Sequence, residues 1–294
     1  MHTTKEYFID LHVHSTHSDG VLTPEQLVRK ARECGLTTIA LADHDAVSGV
    51  PDAIAAGQNH GVTVIPAVEL SVQYKKWSDV HLLGYGLNVS DADFLRQLSS
   101  FQDRRMHRNE EILERVNRRL DRQGKKPVPL NEVLELAGGT VGRPHIARAL
   151  INHDYAADME HAFQAYLIPC NVPKLYWPIE DAIREIQRCG GAAVLAHPTS
   201  ITRDRETLSE LISSLKSIGL DGVEVYNNMA SADEMRFLTE QARQLGIFVT
   251  AGSDFHGIED GLEMGVGRDG IRFSSGLLPP LIECLASRTP GSEG

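Results

Sequence analysis

Short β-rich runs alternate with amphipathic helical stretches along most of this chain, and no other feature restricts its fold as strongly. The runs are residues 8–14, 38–43, 62–69, 80–85, 192–197, 222–226 and 247–254. The helical stretches between them are well punctuated. Thr23 stands at an N-cap position ahead of residues 24–34, Pro24 suits the first helical position, and Gly35 follows the end. Residues 179–188 run into Gly190-Gly191, residues 206–217 into Gly219, and residues 231–245 into Gly246. Seven strands with interposed helices and no long all-β stretch predict a parallel α/β architecture, either barrel or open sheet.

The alternation fails over residues 91–178, which read as several helices without a convincing strand. Ile112, Val116 and Leu120 space as one apolar stripe, with Arg104, Arg108, Arg115, Arg118, Arg119 and Arg122 largely off it. The expected organisation is a barrel built from residues 1–90 and 179–287 with a helical insertion, 91–178. The insertion follows the run bearing His81 and returns before the run ending in His197. It is therefore expected to emerge at the end of the barrel where those histidines lie and to act as a lid.

Charge limits the partners. The net charge of −11 argues against a general nucleic-acid binder, although the segment from Arg96 to Lys126 holds ten Lys/Arg against five Asp/Glu. A solvated face is the favoured reading of that basic helix. No apolar run is long enough to span a bilayer. Residues 1–6 pass into the first strand without a signal-peptide core, so a cytoplasmic location is expected. Cys34, Cys170, Cys189 and Cys284 form no C-x-x-C pair and read as reduced thiols. No repeat appears, no stable protein partner is implied, and the Ser/Gly/Pro-rich tail after Ser287 is expected to fray.

The chemistry-bearing residues fall at corresponding places. In residues 9–14, simple strand alternation puts Ile9, Leu11 and Val13 on one face and Asp10, His12 and His14 on the other. Asp19 follows in Ser18-Asp19-Gly20. The second run ends in Asp43-His44-Asp45 and the third in Glu69. The fourth carries His81, the fifth ends in His197-Pro198, the sixth holds Glu224, and the seventh ends in Asp254-Phe255-His256. Taken singly, each has an ordinary explanation, such as a satisfied core histidine or a capping turn. Together they would leave ionisable groups buried and unpaired at one end of six or seven strands, which is very costly. A polynuclear metal site removes that cost, at the face where α/β folds place active sites.

These residues resemble the PHP (polymerase and histidinol phosphatase) family, from Asp10-Leu11-His12-Val13-His14-Ser15 through Asp43-His44-Asp45, Glu69, His81 and His197-Pro198 to Asp254-Phe255-His256. The resemblance implies a distorted (β/α)7 barrel with two or three divalent metals, manganese (Mn²⁺) first, then Fe²⁺ or Zn²⁺. It places His12, His14, Glu69 and Asp254 on the first metal, and Asp19 and His44 on the second with Glu69 bridging. His81, His197 and His256 would form a third site. The family often has His where Asp19 stands, so this second site is richer in carboxylate. In the insertion, Gly142-Arg143-Pro144-His145-Ile146-Ala147-Arg148 is similar to the subgroup of 3′,5′-nucleoside bisphosphate phosphatases, some of which trim short RNA from the 5′ end. Its plainer reading is a helix start, with Pro144 in the first turn.

The implied activity is a metal-dependent phosphoric monoester hydrolase. It would remove the 3′-phosphate of a 3′,5′-bisphosphonucleotide such as pAp with a metal-activated water. Asp45 would orient the water, His197 or His256 would protonate the leaving oxygen if not committed to metal, and Arg143 and His145 would bind substrate. Three alternatives stay open. They are 5′→3′ exoribonuclease action on short RNA, hydrolysis of another small ester such as histidinol phosphate, and a non-catalytic nucleotide- or metal-binding module.

Overall fold

The computed structural model describes residues 7–137, 141–258 and 261–288, so the start at residues 1–6 and the tail from residue 289 lie outside the described residues. Seven strands lie along one hydrogen-bonded path in the order β1 (Phe8–Val13), β2 (Leu36–Leu41), β3 (Thr63–Tyr74), β4 (Trp77–Tyr85), β6 (Ala192–Leu195), β7 (Gly222–Tyr226) and β8 (Phe248–Ala251). A two-residue strand, β5 (Trp177–Pro178), pairs with β3 off this path.

Helices α1 (Pro24–Glu33), α2 (Val50–His60), α7 (Ile179–Arg188), α8 (Arg205–Ser217) and α9 (Ala232–Leu245) separate the strands. Their punctuation works as the residues require. Thr23 and Gln26 form a reciprocal capping box at the start of α1, and Gly246 takes φ +62 after α9.

Two apolar layers separate inside from outside. Ile9, Leu11, Ala40, Ala67, Val194 and Ala251 form one cluster, with Phe273 and with Leu281 of α10 (Leu278–Ala286). Ile39, Leu41, Val68 and Leu70 pack instead with Ile183, Ile186, Leu211 and Leu238 of the helices. This is the expected distorted (β/α)7 barrel, with a seam. β1 and β8 share no ladder. They are held by the isolated pair Val13–Phe255 and by His14 N–H to Phe255 O at 2.9 Å and Asp254 N–H to His12 O at 2.9 Å.

One strand departs from the all-parallel expectation. β4 runs antiparallel to both β3 and β6. Only a short turn separates β3 from β4, too short for the crossover that parallel strands need. The reversal puts the early part of β4 at the metal end: His81 lies opposite Ser71, while Tyr85 lies opposite Ala67 and Ala192 at the other end.

The insertion therefore leaves the barrel from the end away from the histidines, contrary to the sequence expectation. The 31-residue α3 (Ala92–Arg122) carries it back, spanning about 46 Å at ~1.5 Å per residue. Phe94 and Leu98 in its first turns pack on the barrel layer, whereas Ile112, Val116 and Leu120 form a separate core with Val133, Ile146, Leu150 and Leu167. That core is completed by α4 (Leu130–Ala137), α5 (Arg143–Asn152), α6 (Met159–Ala162) and a π-helical turn, Phe163–Leu167.

Candidate metal centre

The site is assembled by local irregularities at strand ends. The register of β1 against β2 slips between Asp10 and Val13. Strict alternation is broken there, so Ile9 and Leu11 pack in the inner cluster and Val13 in the outer one. Asp10 does not join His12 as simple alternation predicts. It accepts from Ser253 N–H and Oγ–H, Gly265 N–H and His12 N–H, tying the seam together. Burial lifts its carboxyl to about 6 despite these bonds. Asp45, His197 and Asp254, each just beyond a strand end, take positive φ of 51°, 23° and 57°, a region that non-glycine residues seldom adopt.

Six imidazoles, those of His12, His14, His44, His81, His197 and His256, converge on Glu69, Asp19 and Asp254. Glu69 Oε2 lies 3.3 Å from both His12 Nε2 and His14 Nε2 and 2.9 Å from His44 Nδ1. Glu69 Oε1 lies 2.9 Å from His81 Nδ1 and 3.2 Å from His197 Nε2. Asp254 Oδ1 is 3.1 Å from His14 Nε2 and 3.5 Å from His12 Nε2. Asp19 Oδ1 is 3.2 Å from His256 Nε2, and its Oδ2 is 3.8 Å from His44 Nε2.

Despite these separations, His12 Nε2, His14 Nε2, His44 Nδ1, Asp19 Oδ1 and Glu69 Oε2 are buried and make no hydrogen bond. Buried polar atoms rarely stay unpartnered. Here the orphans are imidazole and carboxylate donors aimed at common points, as divalent metal ions require. Three overlapping sets have donor atoms within 4.8 Å of one another: His12, His14, Glu69 and Asp254; His14, Asp19, His44 and His256; and His44, Glu69 and His81. The residues fit metal ions.

Electrostatics agree with the donor set. Burial opposes ionisation of Glu69, Asp19 and Asp254, yet the facing imidazoles hold all three well below the usual carboxylate range. Burial also depresses every imidazole. The carboxylates outweigh it for His12, His44 and His197, whose pKa values rise, and for His256, which rises to about 10. Burial prevails at His14, pushed down to about 3 beside His256 and His44, and at His81. Ionised buried carboxylates need cations, and bound metal would displace the imidazole protons that otherwise serve.

Further residues hold these groups in place. Glu224, fully buried, accepts from His12 Nδ1–H at 2.9 Å and from His197 N–H at 2.9 Å. Asp43 accepts from Ser15 N–H, Ser15 Oγ–H and Ser18 Oγ–H, which folds the loop carrying Asp19. Gly252 permits a close approach, since a Cβ there would lie 2.2 Å from His12 Cβ and 2.7 Å from Glu224 Oε1.

The cage opens into a cavity of about 160 Å³, whose wall includes Asp19, His44 and His81 on one side and Arg105, Arg108, Arg143 and Lys174 on the other. Asp45 accepts from Ser71 N–H at 3.0 Å and pairs with Arg105 at 3.2 Å. Lys174 donates to Ser71 Oγ at 2.9 Å and to Asp79 at 3.1 Å. Arg143 lies over the Phe163 ring at 5.6 Å. His145 is buried and its Nδ1 accepts Gly142 N–H at 2.9 Å, capping its own helix. Burial lowers its pKa to about 4.

All nine sequence-predicted ligand positions thus surround one cage. His256 sits with Asp19 and His14, whereas His81 and His197 meet at Glu69 Oε1. Sequence reasoning assigned no role to Glu224, although a Glu between Val223 and Val225 in a short buried strand was a usable signal. Arg105 and Lys174 carried no local signal, because only the fold of the insertion brings them to the mouth.

The PHP domain profile matches residues 10–170. The 5′-3′ exoribonuclease Rnm of Salmonella typhimurium is 34% identical, over 84% of this chain and 84% of that protein. The 3′,5′-nucleoside bisphosphate phosphatase of Chromobacterium violaceum is 31% identical, over 89% of this chain and 90% of its own length. Among solved structures, one described as a metal-dependent phosphoesterase from Bifidobacterium adolescentis superposes with a TM-score of 0.81 at 25% identity. That match covers 97% of this chain and 98% of the other.

Proposed function

The chain belongs to the PHP family of metal-dependent phosphoesterases, and from that premise we propose that it removes the 3′-phosphate from a 3′,5′-bisphosphonucleotide such as pAp. One observation carries this reading: a cage of carboxylates and imidazoles opens onto a mouth walled by Arg108, Arg143 and Lys174. The cage acts on one phosphate and the cations hold the other. His12, His14, Glu69 and Asp254 would hold one ion. Asp19, His44 and His256 would hold a second, and His81 and His197 with Glu69 a third. Imidazole with carboxylate and no thiolate suits Mn²⁺, with Fe²⁺ or Zn²⁺ as alternatives. Such ions, when bound, clamp phosphoryl oxygens and lower the pKa of a coordinated water.

The chain's own groups do the rest. Glu224 fixes the ring of His12, and Asp45 fixes Arg105 at the mouth. His197 and His256 are the imidazoles able to hand a proton to the leaving oxygen where no ion takes them. Arg143 supplies a planar fork for the phosphate that is not cleaved. The cytoplasmic setting, where the four thiols stay reduced, belongs to the same reading.

A second reading, trimming of short 5′-phosphorylated RNA, is favoured by a second basic cavity beside the mouth. Manganese-loaded protein tested on bisphosphonucleotide, nucleoside monophosphate, histidinol phosphate and short 5′-phosphorylated RNA separates the readings, the first substrate being expected to give the highest kcat/KM. Arg143→Ala should cost about 2–4 kcal/mol on the bisphosphate, the scale of a lost charge-assisted contact. The loss should be much smaller on a single-phosphate substrate. Equal losses on both would remove Arg143 from the second phosphate, and no turnover on any ester would leave a binding module.

A further inference from the structure

Breaking a phosphate ester leaves an alkoxide that needs a proton, and His197 and His256 cannot supply one once they are committed to ions. We propose that Lys174 is the catalytic acid, its Nζ–H protonating the ester oxygen as the P–O bond breaks. The inference deepens the phosphomonoesterase reading of this site and rests on it.

Few groups at the mouth have a proton to give. Asp19, His44 and His81 belong to the cage. Asp79 is a carboxylate paired with Lys174 at 3.1 Å, and an ionised carboxylate only accepts. Ser71 and Asn109 are not acids near neutrality. Arg105, Arg108 and Arg143 keep their protons at any working pH, which suits them to the phosphate that stays. Among the described residues at this wall, Lys174 is the cation whose proton can leave.

Its position supports the assignment. Nζ donates to Ser71 Oγ at 2.9 Å and to Asp79 Oδ1 at 3.1 Å. An ammonium has three donors, so one N–H is left without a partner among the described residues, on a side chain that lines the mouth. Ser71 follows Glu69 by two residues on β3 and lies opposite His81 on β4. Residues two apart on a strand share a face, about 7 Å from each other. The amine is thus anchored one step from the carboxylate on which His12, His14, His44 and His81 converge. A phosphate entering the cage from the mouth trails its ester oxygen toward that amine.

The surroundings favour release. Burial pushes the ammonium below the ordinary lysine range and Arg105 adds to this, against the pull of Asp45 and Asp79. Arg108 and Arg143 line the same cavity with like charge, and the Tyr176 ring lies 5.0 Å from Nζ. An acid whose pKa moves toward the working pH gives up its proton more readily. In the balanced step, a water oxygen bonds to phosphorus and the P–O bond to the alcohol breaks, its electron pair staying on the alcohol oxygen. Nζ–H protonates that oxygen. The neutral amine regains a proton from solvent, which takes up the one released by the attacking water.

The test compares full-length, manganese-loaded wild type, Lys174→Arg and Lys174→Met on a 3′,5′-bisphosphonucleotide and on its analogue with sulfur at the bridging 3′ position. A thiolate departs without protonation, whereas an alkoxide needs it. On the oxygen ester both variants should lose about 100-fold or more in kcat, the scale of general acid catalysis, and on the sulfur ester about tenfold less than that. Lys174→Arg keeps the charge, so its KM and its calorimetric affinity for inorganic phosphate should stay within about threefold of wild type. Equal losses on the two esters, or wild-type kcat for Lys174→Arg on the oxygen ester, would overturn the acid and make Lys174 a phosphate anchor. If wild type hydrolyses neither ester yet binds inorganic phosphate, the phosphoesterase reading fails and the acid falls with it.

Discussion

Glu224→Gln separates orienting a metal ligand from taking part in the chemistry. The carboxylate is fully buried and accepts two hydrogen bonds, one from His12 Nδ1–H and one from His197 N–H, each at 2.9 Å. Glutamine keeps the shape but has one acceptor and two donors. If its oxygen faces His12, its amide hydrogens oppose His197 N–H. If it faces His197, they oppose His12 Nδ1–H. His12 can escape only by moving its proton to Nε2, the atom aimed into the cage. Each choice leaves a buried donor unsatisfied, at about 1–3 kcal/mol, or roughly 5- to 150-fold in a binding constant. Losing an outer partner of a metal-bound histidine typically costs about 10–100-fold in metal affinity. Chelated protein should therefore need about 10–100-fold more Mn²⁺ for half-maximal phosphatase activity, with the same shift in calorimetric metal binding. At saturating Mn²⁺, kcat should recover to the wild-type order of magnitude. Unchanged Mn²⁺ affinity with a collapsed kcat would refute the orienting role and put Glu224 in the reaction itself.

Other perturbations test the same construction. Gly252→Ala forces a Cβ to 2.2 Å from His12 Cβ and should lose about 1–3 kcal/mol or more in denaturant melts. Gly246→Ala, with nothing within 4 Å, carries only the strain of its φ of +62°, and similar losses in the two would mean that crowding at the cage is not what selects glycine. Asp254→Asn should reduce kcat on the order of a thousandfold while Cys34→Ser leaves it near wild type; a cysteine variant equally impaired would mean the reaction centre is elsewhere. His145, lowered from 6.5 to about 4, contributes stability above pH 6.5 that is lost as pH falls towards 4. Between pH 7 and 4 wild type should lose about 3 kcal/mol more unfolding free energy than His145→Gln, which keeps an acceptor for Gly142 N–H. Parallel curves would show that the imidazole is not held neutral.

Short-range order was legible in the residues. Periods of two and 3.6, together with Thr23, Pro24, Gly35 and Gly246, mark the strands and helices because backbone geometry and capping are local. The recurrence of His, Asp and Glu at run ends also announced a metal-binding cage, since unpaired ionisable groups are too costly to bury. What the residues could not announce depends on pairing. Whether residues 80–85 run parallel or antiparallel is decided by their neighbours in the sheet, and that reversal alone carries His81 to the cage and sends the insertion out from the far end. The slip in β1 likewise turns Asp10 away from His12 through its bonds to Ser253 and Gly265, more than 240 residues distant. Arg105 and Lys174 reach the mouth only because α3 spans the barrel and folds back on a core of its own. Periodicity and residue type determined which elements form and what chemistry they carry. Long-range hydrogen bonding and packing, whose partners are far apart in the chain, decided which side chains face one another and what surrounds the substrate.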